Sequence, residues 1–181
     1  MLDAMGALVG RSPSALSWSG LVILVTVGTQ LGFDRLISAM DNLANTLDVP
    51  IIAQIGSGRY RPKNMTSSSS FDPEEFENLI RDSKLIVSHA GTGTILNARK
   101  HYKPIVILPR RAEFFEHRNN HQIATAHFMS NRPGIFVAAR ETELLEQIQR
   151  ALTAELPRDA QFGDRSRIID ELKDFVTKYV N

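Results

Sequence analysis

The chain has no cysteine in 181 residues, which excludes disulfides and any thiolate-held metal framework. It has almost no charge bias: 21 lysines and arginines stand against 20 acids, a formal net charge of +1. A dedicated nucleic-acid binder carries a clear basic excess, so that class is set aside. No apolar run approaches the roughly 20 residues needed to span a bilayer. Two nucleotide fingerprints are missing as well. No G-x-G-x-x-G follows a strand-like run, and no lysine closes a glycine loop in the Walker manner. Asn64-Met65-Thr66 matches a glycosylation acceptor, but no secretory signal accompanies it, and the match is read as chance.

What is present is enough apolar material for one substantial core, with 43% hydrophobic residues. The chain is organised around the stretch from Leu85 to Gln122. Leu85-Ile86-Val87 reads as a buried parallel strand. The sequence then breaks into Ser88-His89-Ala90-Gly91-Thr92-Gly93-Thr94 and resumes as a helix from about Thr94. Strand, glycine-and-hydroxyl turn, helix start is an anion-binding arrangement. The glycines let the backbone approach a ligand, and the first helical turn offers unpaired N–H groups at a positive dipole end. A second strand, Pro104 to Leu108, ends in Pro109-Arg110-Arg111. Beyond it lie Glu116, His117, Arg118, Asn119, Asn120, His121 and Gln122. Both strand ends face one edge of a sheet, the edge at which open α/β sheets bind ligands.

The remaining segments extend the same pattern. Leu21 to Val27 is an apolar first strand, closed by Gly28-Thr29-Gln30, and Phe33, Leu36, Ile37, Met40, Leu43 and Leu47 follow at helical spacing. Pro50 to Ile55 is a second strand with Gly56-Ser57-Gly58 as its exit. Arg59 to Phe71 loses its period, as a lid, an edge strand or a solvated basic loop does, and the basic loop is the expectation. Asp72-Pro73-Glu74-Glu75 starts a helix, with an N-cap, proline at N1 and acids in the first turn. His121 to Ser130 reads as helix, with Ile123, Ala126 and Phe128 offered for burial. Ile135-Phe136-Val137 is the last strand, and Leu144, Leu145, Ile148, Ala151 and Leu152 stripe a further helix. Residues 1–20 read as a disordered leader, 156–163 as a linker, and 164–180 as a C-terminal helix suited to docking a partner. The expected fold is α/β: a single Rossmann-like domain over 21–181, a mostly parallel sheet with helices on both faces.

His-x-Gly-x-Gly-Thr at 89–94, the proline-arginine corner at 109–110 and Glu-His-Arg-Asn-Asn-His-Gln at 116–122 together resemble the donor-nucleotide half of GT-B glycosyltransferases. The nearest likeness is to glycosyltransferase family 28 C-terminal domains. Within that family the chain is most similar to the soluble donor-binding subunits of split enzymes, such as the dolichyl-diphosphate N-acetylglucosaminyl transferase and its exopolysaccharide and capsule counterparts. Val25 to Gln30 and Phe33 to Ile37 extend the likeness, which covers about residues 21 to 180. The resemblance implies donor contacts from Gly28, Thr29 and Gln30. It places His89, Ala90, Gly91, Thr92, Gly93 and Thr94 at the diphosphate, and Glu116, Asn120, His121 and Gln122 at the sugar and ribose. Where the family often carries a ribose-gripping glutamate this chain has Asn97, and Glu116 is the substitute considered.

The resemblance implies a UDP-sugar donor, and transfer then requires the departing diphosphate to be neutralised and the acceptor hydroxyl to lose a proton. The Asp-x-Asp of metal-using transferases is absent, so neither metal nor cofactor is expected. Neutralisation falls to the helix start after Gly93, Thr92, Thr94 and His89, with Arg110, Arg111 or Arg118 able to add charge. Taken singly, each arginine is expected to form a surface ion pair with Glu113 or Glu116. His117 and His121 are the candidate bases. The implied activity is that of a hexosyltransferase subunit, inactive without a membrane-anchored acceptor-binding partner and peripheral at the inner face of the membrane through that partner. The alternatives are a non-catalytic α/β nucleotide- or partner-binding module and a nucleotide-sugar epimerase-like domain.

Overall fold

A computed structural model describes residues 22–155. The expected leader, linker and docking helix lie outside the described residues. Six strands, β1 (Val22–Thr26), β2 (Ile51–Gln54), β3 (Thr66–Ser68), β4 (Ser83–His89), β5 (Ile105–Leu108) and β6 (Ile135–Val137), form one sheet in the order β3-β2-β1-β4-β5-β6. Every neighbouring pair is parallel. Helices α1 (Asp34–Leu43), α2 (Pro73–Asp82), α3 (Thr92–Lys100), α4 (His121–Met129) and α5 (Leu144–Thr153) follow β1, β3, β4, β5 and β6, while β2 runs on to β3 through a loop. This is the expected Rossmann-like α/β fold.

The strands are apolar along their length because both faces are covered. Ile23, Val25, Leu85, Val87, Val106 and Leu108 pack with Leu36, Ile37 and Met40 of α1 and Leu144, Ile148 and Ala151 of α5. On the other face, Val22, Leu24, Ile86, Ile105 and Ile107 meet Leu79 and Ile80 of α2, Ile95 and Ala98 of α3, and Ala126 and Met129 of α4. The start of α2 forms as its sequence directs: the Asp72 carboxylate accepts from the Glu75 N–H at 2.8 Å, and Pro73 opens the helix. Two expectations need correction. Ile123 is 37% exposed, and α4 instead buries Gln122, Thr125, Ala126 and Met129, a stripe in which two of the four are polar. The first strand is not apolar throughout, since it ends in a fully buried Thr26.

The segment read as a solvated basic loop exposes Arg59, Arg61 and Lys63, yet its backbone is fastened to α1. Asp34 accepts from the N–H groups of Arg59 (2.9 Å) and Tyr60 (3.1 Å). Asp41, only 2% exposed, accepts from Lys63 N–H (3.0 Å), Asn64 N–H (2.7 Å) and the Tyr60 hydroxyl (2.9 Å). Held this way, residues 66–68 reach the sheet edge as β3. Replacing Asp41 by alanine leaves these donors without a partner and is expected to cost about 2–4 kcal/mol, against about 1 kcal/mol for Tyr60→Phe. Urea unfolding of the two variants measures both, and equal losses would mean that the backbone bonds to Asp41 contribute nothing.

Candidate functional site

The sheet order sends the chain from β1 outward to β2 and β3, then back across to β4 on the other side of β1. The exits of β1 and β4 therefore diverge and leave a crevice at their carboxyl ends, the switch point of an open α/β sheet. At that edge the final residues of β2 and β1 and the penultimate residue of β4 line up in register: Gln54 with Thr26, and Thr26 with Ser88. All three are buried and polar. The Thr26 hydroxyl donates to Gln54 Oε1 at 2.6 Å, and the Ser88 hydroxyl donates to the Thr26 carbonyl at 2.9 Å. Sequence reasoning missed this row. Its signal was a hydroxyl or amide residue near the carboxyl end of each strand-like run.

His89 follows Ser88 and lies between two glycines. A Cβ on Gly28 would stand 2.9 Å from the ring's Cε1, and one on Gly91 would stand 2.1 Å from Nε2. Gly28 also has φ 77°, a left-handed conformation that β-carbons disfavour. Ala90 is buried in the core, and Gly91 caps α3 in an extended conformation. The helix begins at Thr92, two residues earlier than expected, with its first backbone bond from Ile95 N–H to the Gly91 carbonyl at 3.1 Å. The N–H groups of Thr92, Gly93 and Thr94 thus precede the helical ladder, and a Cβ on Gly93 would meet nothing within 4 Å. Thr29 and Gln30 are exposed at the mouth of the β1 exit.

Arg110 departs from the expected surface ion pair. It is 3% exposed, and one guanidinium nitrogen donates to the carbonyls of Val27 (2.8 Å) and Leu31 (2.7 Å). Its Nε is buried without a partner among the described residues, and its Cζ sits 5.2 Å from the Phe33 ring centroid. The side chain spans from the β5 exit to the β1 exit, where carbonyls rather than carboxylates await it. Gln122, 3% exposed, supports it by accepting from the Arg110 backbone N–H at 3.1 Å. Arg111 does form the expected pair, with Glu113 at 2.9 Å.

Glu116 is held by neighbours within the protein. Its oxygens accept from Arg35 at 2.7 and 2.8 Å and from the Arg111 N–H at 2.9 Å, while Arg35 also reaches Glu141 and the Pro109 carbonyl. Glu116 therefore fixes the β5 exit loop to α1. Asn97 turns its amide to Glu77 of α2 at 3.3 Å, away from the β1–β4 crevice. Lys100 and His101 join it there, and their hydrogen bonds hold the Glu77 carboxyl down to about 2. Asn120 accepts from the Ala112 N–H at 2.9 Å, below a short 3-10 turn, Ala112–Phe114. Phe115 closes that turn at φ 57° and stands 97% exposed. The rings of His117 and His121 meet edge-on with centroids 4.4 Å apart, and Asn119 contacts His121 Nδ1.

The histidines of this edge are held neutral. Burial, then the charge of Arg110, pushes His89 down to about 4. Burial also lowers His117, assisted by Arg110, and His121, assisted by His117. With a folded pKa near 4 and an ordinary value of about 6.5, the unfolded chain protonates His89 first as the pH falls. Stability owed to this group is complete above pH 6.5 and is lost between there and about 4. Thermal unfolding across that window is expected to show a shallower acid loss for His89→Asn than for the wild type; parallel curves would contradict the assignment.

A parallel sheet with a glycine-flanked crevice at its switch point defines this chain as a Rossmann-like α/β domain, and its fold matches the C-terminal half of GT-B glycosyltransferases. The chain belongs to the glycosyltransferase family 28 C-terminal domain family, whose model matches residues 22–175. No curated protein sequence matches it. Among solved structures it is similar to the glycotransferase of kitacinnamycin, at 18% identity and TM-score 0.60, with 92% of this chain and 44% of that one covered. It is also similar to ALG13, at 19% identity and TM-score 0.60, with 85% and 95% covered. A third is the Methanocaldococcus jannaschii UDP-GlcNAc 2-epimerase solved with UDP-GlcNAc and UDP, at 14% identity and TM-score 0.57, with 87% and 46% covered. The chain thus spans under half the length of the first and third of these. Among the described residues no helix is long and apolar enough to cross a membrane.

Proposed function

We propose that this chain binds the UDP-sugar donor of a two-component inverting glycosyltransferase acting on a lipid-linked acceptor in exopolysaccharide, capsule or glycolipid synthesis. The acceptor site and the base come from a membrane-anchored partner subunit, which also brings this chain to the inner face of the membrane. The observation that carries the reading is the crevice between β1 and β4, where Gly28 and Gly91 leave His89 lying against the open first turn of α3. Family membership supports the donor role, and the likeness to ALG13 over 95% of that chain is consistent with a donor half made as its own polypeptide.

In this reading the diphosphate rests on the N–H groups of Thr92, Gly93 and Thr94, with the threonine hydroxyls beside it. Arg110 adds positive charge from beneath the crevice while its bonds to Val27 and Leu31 hold the β1 exit open. As the sugar leaves, charge grows on the diphosphate, and donors already fixed by the fold stabilise it without reorganising. His117 and His121 are unprotonated, but their lowered pKa values make them weak bases. This favours a base supplied by the partner.

Titration calorimetry with UDP is the direct test. The double variant His89→Ala with Thr94→Ala is expected to lose at least about tenfold in affinity, or roughly 1.4 kcal/mol. Unchanged affinity would remove the site. Full-rate transfer by the isolated chain would instead overturn the two-component reading.

A further inference from the structure

We infer that His89 meets the donor diphosphate only as an imidazolium, taking one proton onto Nε2 as the donor binds, with Ser88 as the positioning residue that makes this necessary. The inference rests on the donor-binding reading above and says how that site works.

One hydroxyl proton sets the tautomer of His89. Ser88 Oγ lies 2.9 Å from the Thr26 carbonyl, which can only accept, so the serine proton points there. The same oxygen lies 3.1 Å from His89 Nδ1 and presents a lone pair to it. Nδ1 is therefore the protonated nitrogen of the neutral ring. Nε2 is left with a bare lone pair, and it is the Nε2 edge that lies against Gly91 at the amino end of α3. A lone pair facing a phosphate oxygen repels it, whereas a proton at that position supplies a charge-assisted bond.

The surroundings determine when that proton arrives. Arg110 at the β5 exit disfavours a cation at His89, and His117 in the loop beyond it and His121 at the start of α4 would each do so on taking up a proton. The amino end of α3 adds its positive dipole. Gly28 on the β1 side and Thr92 to Thr94 on the α3 side bring no titratable group. In the empty crevice burial and the charge of Arg110 thus keep His89 neutral. An incoming diphosphate reverses the sign of the local field, and the proton is drawn from solvent without any covalent bond being made or broken. Donor affinity then rises as the pH falls, by about tenfold per unit where one full proton is taken up.

The test uses the full chain and UDP. Nitrogen-15 spectra of labelled histidine, with His89 assigned by its absence in His89→Asn, should show the Nδ1–H tautomer in the free protein at pH 7. With saturating UDP at pH 6 both ring nitrogens should be protonated. Calorimetry at pH 6 in buffers of different ionisation enthalpy should give the wild type close to one more proton taken up than His89→Asn, a difference that cancels UDP's own titration. Ser88→Ala frees the ring to carry its proton on Nε2, so its uptake should fall toward that of His89→Asn while UDP still binds. A purely structural serine would leave the proton count unchanged, and that result overturns the inference. So does a UDP-bound His89 that stays neutral, or an Nε2–H tautomer in the free chain. If His89→Asn fails to fold or bind, spectra of the wild type and Ser88→Ala decide. Absence of any UDP binding to the wild type would instead overturn the donor-binding reading itself, and this inference with it.

Discussion

Arg110 brings a positive charge out of water at the exit of β5 and places it against two backbone carbonyls at the exit of β1, with no carboxylate among the described residues bonded to it. Burying a cation in this way is costly unless its donors are used, and Nε has no partner among the described residues. The arrangement persists because neighbouring groups hold it from several sides. Gln122 fixes its backbone, Phe33 lies under its guanidinium, and Glu116 contributes a field that offsets part of the burial. Removing that crossing would release the β1 exit loop, and the crevice between β1 and β4 would lose one wall.

A second set of charges works in support of the first. Arg35 grips Glu116 through two nitrogens and reaches Glu141 and the Pro109 carbonyl, so the loop after β5 is fastened to α1 and to the turn before α5. Asp34 and Asp41 do the same for the loop after β2. All three anchoring residues lie on α1, the helix that immediately follows the β1 exit. One helix therefore sets the positions of loops arriving from three strands.

The sequence made the scaffold legible and left much of the wiring hidden. Apolar runs bounded by glycine and proline located the strands, and Asp72-Pro73 located the start of α2, because those signals are local. The thread Ser88-His89 to Thr94 stood out for the same reason: glycines and hydroxyls beside a strand are visible without knowing the fold. Arg110 was read as a surface group because a charge looks solvated until the residues facing it are known. Glu116 and Asn97 were placed in the crevice by likeness, whereas Arg35 and Glu77 are the groups they bond. Their partners lie 81 and 20 residues away in sequence, beyond the reach of any local pattern. β3 was obscured for a related reason, since its short polar strand owes its place to two aspartates on another element.

The hydrogen bond from Ser88 to the Thr26 carbonyl joins positions 62 residues apart, across the two central strands of the sheet. Such a contact cannot be assembled from one end of the chain alone; loop closure over that distance has to come first. The crevice therefore exists only where both central strands are present and paired, and is absent from any fragment that lacks either one. Whatever occupies it recognises the finished sheet, and its binding energy bears on the whole cooperative unit rather than on one loop.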